Sequence, residues 1–348
     1  MRAYVNAKDG LYIRSEPKID PKNIKGALVY GAAVDVDRVL KNEWSRILTA
    51  PEPRYVYGSF LSQQPPNEVF HSPLSASRIN LHASAGGWSP DDRECAIVRA
   101  NNVNAVLICT YNPNVASQMI ERFRTVGVEQ FVLRATSPYI PKVINGDVVL
   151  AAKLWAREAV VRLKPFVSAI GGRSVMVQLH NEPNLSDEGL YTGWRTAKEF
   201  NTWFITAASV LRDAVSGIKI GFSPMSPGFA IPSRRIDENQ FIAACYGAVS
   251  NSDWIAVHNY YGASDASDLT IPLTKWRGFA QNKPIVCTES GPSIGKYVTI
   301  SGCLRMFKMF SAANIPTFGW ILSATGAADF IGQGWKEQNI ILPSFNRF

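Results

Sequence analysis

The chain of 348 residues lacks the features that mark several protein classes. It has no run of 18 apolar residues, so the sequence predicts no membrane-spanning helix. Its five cysteines (Cys95, Cys109, Cys245, Cys287 and Cys303) are odd in number and form no Cys-x-x-Cys pair. That excludes a disulfide framework or a cysteine-based zinc site and leaves unbridged buried thiols as the expectation. There are four histidines and no His-x-His; Asn80-Leu81-His82 offers one imidazole where a metal site needs several, so no metal is expected. No Gly-x-Gly-x-x-Gly follows the first strand of the long α/β region, which argues against an open dinucleotide-binding sheet. The formal net charge is +8, yet no dense Lys/Arg run and no nucleic-acid motif appears, so nucleic acid is set aside. No signal peptide is visible, because Met1-Arg-Ala-Tyr-Val5 already reads as a strand.

What is present is an ordinary globular composition: 46% hydrophobic and 18% charged residues, enough for a large domain and a small one. The 9 Trp, 12 Tyr and 17 Phe suit a stacking ligand, although most aromatics pack cores. The spread basic charge is either a solvated surface or an attraction to an anionic polymer.

Residues 1–62 read as all-β, with short alternating segments broken at Asp9-Gly10, Pro17, Pro21, Gly26 and Gly31. Three of these segments are Leu11-Tyr-Ile-Arg-Ser-Glu-Pro17, Trp44-Ser-Arg-Ile47 and Tyr55-Val-Tyr-Gly-Ser-Phe-Leu61. Together they resemble the bacterial SH3-like (SH3b) domain, with its Leu-Asn-Val-Arg-Ser-x-Pro opening, central Trp-x-x-Val/Ile and closing Gly-Trp-Val-x-x-x-Tyr-Leu. Tyr12 stands where that family usually has Asn, and Tyr55 replaces the closing Trp. The resemblance implies a small all-β barrel with a cell-wall or polysaccharide ligand. A module that only braces its neighbour is the other reading. Residues 63–75, with Gln63-Gln-Pro-Pro-Asn67, read as a linker.

From residue 76 to 348 apolar strands alternate with amphipathic helices. Strands are predicted at Arg78–Ser84, Ala105–Thr110, Glu129–Ala135, Val175–Asn181, Lys219–Ser223, Trp254–Asn259, Pro284–Glu289 and Pro316–Leu322. Helices are predicted between them, among others at Val148–Ile170, Trp194–Val215 and Gly302–Ala313. Eight such units predict an α/β fold, a (β/α)8 TIM barrel preceded by the small β domain.

Two of the apolar strands end in a carboxylate: Glu182 in Leu179-His-Asn-Glu-Pro183, and Glu289 in Cys287-Thr-Glu-Ser290. Strand C-termini in such barrels open onto the ligand crevice, so both carboxylates reach one rim. Paired carboxylates there are the minimal equipment for glycoside hydrolysis. The plainer reading makes one glutamate a buried ion-pair partner.

Asn181-Glu182-Pro183 on the fourth strand and Glu289 on the seventh resemble the clan A glycoside hydrolases, and the resemblance spans the barrel. It implies Glu182 as general acid/base and Glu289 as nucleophile of a retaining β-glycosidase, with carboxyls about 5–5.5 Å apart. It further implies Asn181 on the sugar 2-hydroxyl, His258 on substrate or acid/base, Tyr260 on the nucleophile, and Trp320 as the floor under the sugar. Arg134 fits a clan arginine near the nucleophile but comes from the third strand rather than the usual second. His82 and His180 also end strands and join the substrate-binding set, while Tyr111 and Asn112 line the rim. Turn-forming for Asn181 and core packing for Trp320 are the plainer alternatives.

No cofactor is implied, since the protein supplies both carboxylates. The partner is a carbohydrate substrate, and the activity favours a secreted or cell-envelope location. The rivals are a non-catalytic carbohydrate- or cell-wall-binding barrel, a metal-dependent barrel hydrolase without its ligands, and a muramidase as a substrate variant. Sugar identity, linkage and endo or exo action reside in loops that do not read out from sequence.

Overall fold

A computed structural model gives the structure of the chain. It describes residues 2–6, 11–28, 32–40, 43–48, 53–62, 72–84, 88–109, 112–137, 141–142, 146–171, 174–325 and 327–343. The chain divides into two compact units, Met1–Phe70 and His71–Phe348. Of the expected linker, residues 63–71 lie outside the described residues. Ser72 already belongs to the second unit, where its hydroxyl lies 3.6 Å from Met176 Sδ.

The first unit is a curled antiparallel sheet of β1 (Arg2–Val5), β2 (Leu11–Arg14), β3 (Ile24–Leu28), β4 (Ala33–Val39), β5 (Trp44–Ile47), β6 (Arg54–Tyr57) and β7 (Leu61–Ser62). The strand order is β3-β2-β6-β5-β4-β1-β7. Alternation decides which face is buried: Val34 and Val36 point inward while Asp35 and Asp37 face solvent. Val5, Leu11, Ile47 and Val56 complete its core. Trp44 is buried edge-on against Tyr57, with ring centroids 5.4 Å apart.

The second unit is a closed parallel barrel of β8 (Asn80–His82), β9 (Ala105–Cys109), β10 (Gln130–Ala135), β11 (Val175–Leu179), β12 (Ile218–Phe222), β13 (Trp254–Tyr261), β14 (Ile285–Pro292) and β15 (Thr317–Gly319). Its helices are α1 (Asp92–Ala100), α2 (Ala116–Thr125), α3 (Val148–Ile170), α4 (Ala197–Ala214), α5 (Glu238–Ala243), α6 (Tyr246–Asn251), α7 (Leu273–Ala280) and α8 (Ile300–Ala312). This is the TIM-barrel architecture. Each expected strand forms; β13 and β14 run on to Tyr261 and Pro292, and the others are shorter or shifted by a residue. β9 and β11 are buried at every position, as strands covered on both faces must be.

Local chemistry sets the helix ends. Asp147 caps α3 by accepting from the Val149 and Leu150 amides, and Gly171 ends it at φ 64°. Thr196 caps α4 three residues into the predicted helix, because Trp194 is held in the preceding turn by its indole N–H on the Pro183 carbonyl at 2.8 Å. All five cysteines are buried and none is in a disulfide. Among the described residues no helix is long and apolar enough to cross a membrane.

Inside the barrel wall Gly221 of β12 pairs with Trp254 of β13, and the indole lies where a side chain would start. A Cβ at Gly221 would sit 2.4 Å from the Trp254 ring. Gly221→Ala is therefore expected to cost about 1–3 kcal/mol, the usual price of overpacking. Urea denaturation should show a lower midpoint at unchanged slope; an unmoved midpoint would mean that the ring has room to yield.

Candidate active site

The rim at the strand C-termini is assembled by an irregularity in β14. Val257 pairs with Cys287, but His258 pairs with Glu289, so Thr288 is an extra residue on β14. The neighbour on the other side agrees: Cys287 pairs with Thr317 and Ser290 with Gly319. A bulge of one residue reverses the inward-outward alternation beyond it. It brings Glu289 into register with His258, so the two side chains face the same space.

Glu289 is buried, and its carboxylate is held from several strands. Arg134 of β10 donates to Oε1 and the Tyr260 hydroxyl of β13 donates to Oε2. His258 Nε2 lies 3.6 Å from Oε1 and His82 Nε2 lies 3.7 Å from it. Burial pulls the Glu289 carboxyl upward, but the His258 imidazole, the Arg134 guanidinium and the Tyr260 hydrogen bond outweigh it. The group stays ionised well below the ordinary carboxylate range. Burial and the Glu289 charge push the Tyr260 phenol well above its usual value, which keeps it a donor.

His82 donates from Nδ1 to the Ala83 carbonyl at 2.8 Å, which leaves Nε2 as the lone-pair nitrogen facing Glu289 and the Cys109 thiol. Burial first, then Arg134, holds this imidazole neutral, with a pKa of about 3.

Glu182 sits beyond β11 and is differently placed. Its side chain is 15% exposed against 5% for Glu289. Its backbone lies in the left-handed region, φ 31°, as does that of His180, φ 65°. Neighbours fix this unusual turn: Asn184 donates to the carbonyls of Ser226 and Ile236 and accepts from the Ser226 amide. Glu182 Oε1 meets His258 Nδ1 at 2.8 Å. One imidazole thus touches both carboxylates, Glu182 through Nδ1 and Glu289 from the Nε2 side.

Trp320 follows β15 and is buried; its indole N–H donates to Gln333 Oε1 at 3.1 Å, and its ring meets His82 edge-on at 4.6 Å. Gly291 allows the approach, since a Cβ there would lie 2.8 Å from the Trp320 carbonyl.

Two expected residues have other surroundings. His180 is enclosed edge-on or tilted by Trp155, Trp194 and Trp203, and its Nε2 donates to the Glu188 carbonyl at 2.6 Å. Burial lowers its pKa to about 4, so the ring is neutral. This imidazole anchors a loop through the backbone of Glu188. Asn112 caps the turn Pro113–Val115 by accepting from the Asn114 amide, and Tyr111 lies outside the described residues.

Asn181 donates from Nδ2 to Glu188 Oε1 at 2.9 Å. Glu188 is a third carboxylate at the rim that the sequence reading missed. Only its distance of six positions from Glu182 and the following Gly189 set it apart, and neither is a distinctive signal. Gln333, which holds Trp320, was missed for the same reason: it lies in a short 3-10 stretch far from any strand end. Among the described residues no cluster of three metal-ligating side chains occurs.

No family model and no curated protein matches the chain. Among solved structures it is similar to a glucosidase from Croceicoccus marinus, at 12% identity and TM-score 0.48, covering 79% of this chain and 65% of that one. It is similar to an endo-beta-1,3-glucanase from Lentinula edodes, at 17% identity and TM-score 0.44, covering 78% and 98%. An endo-1,4-beta-mannanase from Rhizomucor miehei gives 11% identity and TM-score 0.47, covering 78% and 93%. At such values the chemistry rests on the geometry of the site.

The buried groups set how stability depends on pH. His82 and His180 are neutral in the fold, with pKa about 3 and about 4, against 6.5 in the unfolded chain. Their contribution is full above pH 6.5 and is lost as pH falls through the folded values. Glu188 is raised to about 7 from 4.5 and acts in the opposite sense between those two values. Below pH 4.5 that opposition ends, and Glu289 joins the histidines. Unfolding free energy should decline slowly from pH 6.5 to 4.5 and then steeply, approaching about 1.4 kcal/mol per pH unit for each group still unprotonated in the fold. Denaturant titrations across this range test it, and a flat profile below pH 4.5 would contradict the assigned protonation states.

Proposed function

We propose that this chain is a retaining β-glycoside hydrolase, with Glu289 as nucleophile and Glu182 as general acid/base. The observation that carries the reading is the contrast between two carboxylates sharing one imidazole. Glu289 is buried, doubly hydrogen-bonded and kept ionised; Glu182 is partly open to solvent and, among the described residues, tied through one oxygen. Two carboxyls with divergent surroundings can divide the roles of ion and proton donor.

In the first step Glu289 attacks the anomeric carbon while Glu182 gives its proton to the departing glycosidic oxygen. Oε1 of Glu182 is taken by His258, so Oε2 delivers the proton. In the second step the Glu182 carboxylate takes a proton from water, which attacks the glycosyl-enzyme and releases Glu289. Arg134 and Tyr260 hold the nucleophile in place between turnovers, and the Trp320 ring supports the sugar.

The first unit is proposed as an SH3-like module that holds the enzyme on an insoluble polymer. Its exposed Tyr12, with the Arg14 guanidinium 5.7 Å over the ring, supplies a stacking face with positive charge.

A panel of aryl β-glycosides tests the activity. Glu289→Ala should abolish turnover, and azide should restore part of it with inverted product, because a small anion fits the vacated space. Glu182→Gln should slow substrates with poor leaving groups by about 10²–10⁴-fold and spare those whose leaving groups need no proton. Absence of hydrolysis across gluco, manno, xylo and galacto substrates by the intact protein would overturn the reading.

Deleting residues 1–62 should leave hydrolysis of a soluble aryl glycoside nearly unchanged and reduce pull-down on insoluble glycan. Unchanged pull-down would remove the anchoring role.

A further inference from the structure

Among the described residues, Glu188 is the carboxylate at the rim that the proposed reaction leaves without a part. The 3-10 turn Ser186–Glu188 delivers it, closed by Gly189 at φ 117°, a conformation open to glycine. The His180 imidazole secures the turn by donating to the Glu188 carbonyl, and three tryptophans fix that imidazole. So much buried structure holds Glu188 against one partner, the Asn181 amide.

The state of that amide is informative. Asn181 Nδ2 donates to Glu188, while Asn181 Oδ1 is buried and accepts no hydrogen bond among the described residues. An ionised carboxylate only accepts, so it demands this orientation. A protonated Glu188 can donate its O–H to Oδ1. The amide then turns over, the unsatisfied oxygen gains a partner, and Nδ2 swings to the other side. A buried acceptor without a partner costs free energy, so a protonated Glu188 favours the turned state once an oxygen of the bound sugar accepts from Nδ2.

We propose that Glu188 is a positioning residue whose proton decides whether Asn181 presents its N–H2 or its carbonyl to the bound sugar. This inference rests on the glycosidase reading and deepens it. With Glu188 protonated, Asn181 donates to a sugar hydroxyl, which is then free to give its own hydrogen to the Glu289 carboxylate. With Glu188 ionised, two acceptors, Asn181 Oδ1 and Glu289, compete for one hydroxyl hydrogen.

The charged groups around Glu188 are consistent with a proton held near neutrality. Glu182 lies on the same loop, Glu289 comes from β14 and Arg134 from β10. Burial raises the carboxyl to about 7; the Glu182 and Glu289 charges add to this, and the Asn181 hydrogen bond and Arg134 oppose it. Asp187 faces the other way and pairs with Arg234 at 4.0 Å on the exposed side of the turn. His180 is neutral and engages only the backbone of Glu188.

The test has two arms on the full chain. In the first, asparagine is labelled with ¹⁵N, and the Asn181 side-chain pair is assigned by its loss in N181D. Its shifts should move with pH, with a midpoint near neutrality, and stay constant in Glu188→Gln. In the second, kcat/KM for an aryl β-glycoside is followed against pH. Glu188→Ala should lower it about tenfold at pH 6, the worth of one buried hydrogen bond. Glu188→Gln, which can donate to Oδ1 at any pH, should recover most of that loss and move the basic limb to higher pH by about one unit. An Asn181 resonance that does not titrate, or a basic limb unmoved in Glu188→Gln, overturns the proposal. If no glycoside is turned over the enzymatic reading fails, and the resonance arm still decides whether Glu188 governs Asn181.

Discussion

A charge inside a barrel has to be answered there. Glu289 lies among apolar strands, where an unpaired carboxylate would cost several kcal/mol. Arg134 supplies the opposite charge, but a single ion pair leaves oxygens and protons unsatisfied. Tyr260 takes the second carboxylate oxygen, and the His258 and His82 rings close the remaining sides. Four strands, β8, β10, β13 and β14, are thereby committed to one functional group. The demand of that carboxylate explains why Arg134, His82, His258 and Tyr260 interrupt otherwise apolar strands near one level of the barrel.

Much of the barrel was legible because its strands are long apolar runs and its helices carry plain caps. Asp147 and Gly171 bracket α3 where the pattern said it should begin and end. The start of α4 was misjudged because Trp194 looks like a helix face residue, whereas a tertiary hydrogen bond to Pro183 removes it from the helix. Glu182 and Glu289 stood out as carboxylates ending apolar strands. His180 stood out for the same reason and belongs to a different environment. Periodicity says which residues end a strand, but three tryptophans from α3, α4 and the loop before α4 set the surroundings of this ring. Glu188 was invisible because nothing local distinguishes it from any acidic turn residue.

The loops after β11 and β12 behave as one piece. Asn184 bridges them with three hydrogen bonds, and the Ser186 amide adds another to the Arg234 carbonyl. A left-handed Glu182 is costly for a residue with a side chain, and such a conformation persists only when its surroundings leave no alternative. The apolar anchor under the loop and the polar stitching above it do this together. Glu182 is held less by its own contacts than by its loop.

The additional residue at Thr288 gives Glu289 a parity. Up to Cys287, β14 follows the alternation of its neighbours; after Thr288 the sense is reversed. Glu289 therefore faces inward only while the count of residues between the two registers stays odd. A strand cannot correct such a count by small adjustments, since each step carries the side chain from one face to the other. Gradual drift in this strand is tolerated through substitution at fixed length, but a gain or loss of one residue would carry the carboxylate out among the helices. The position of this group is set by counting rather than by distance.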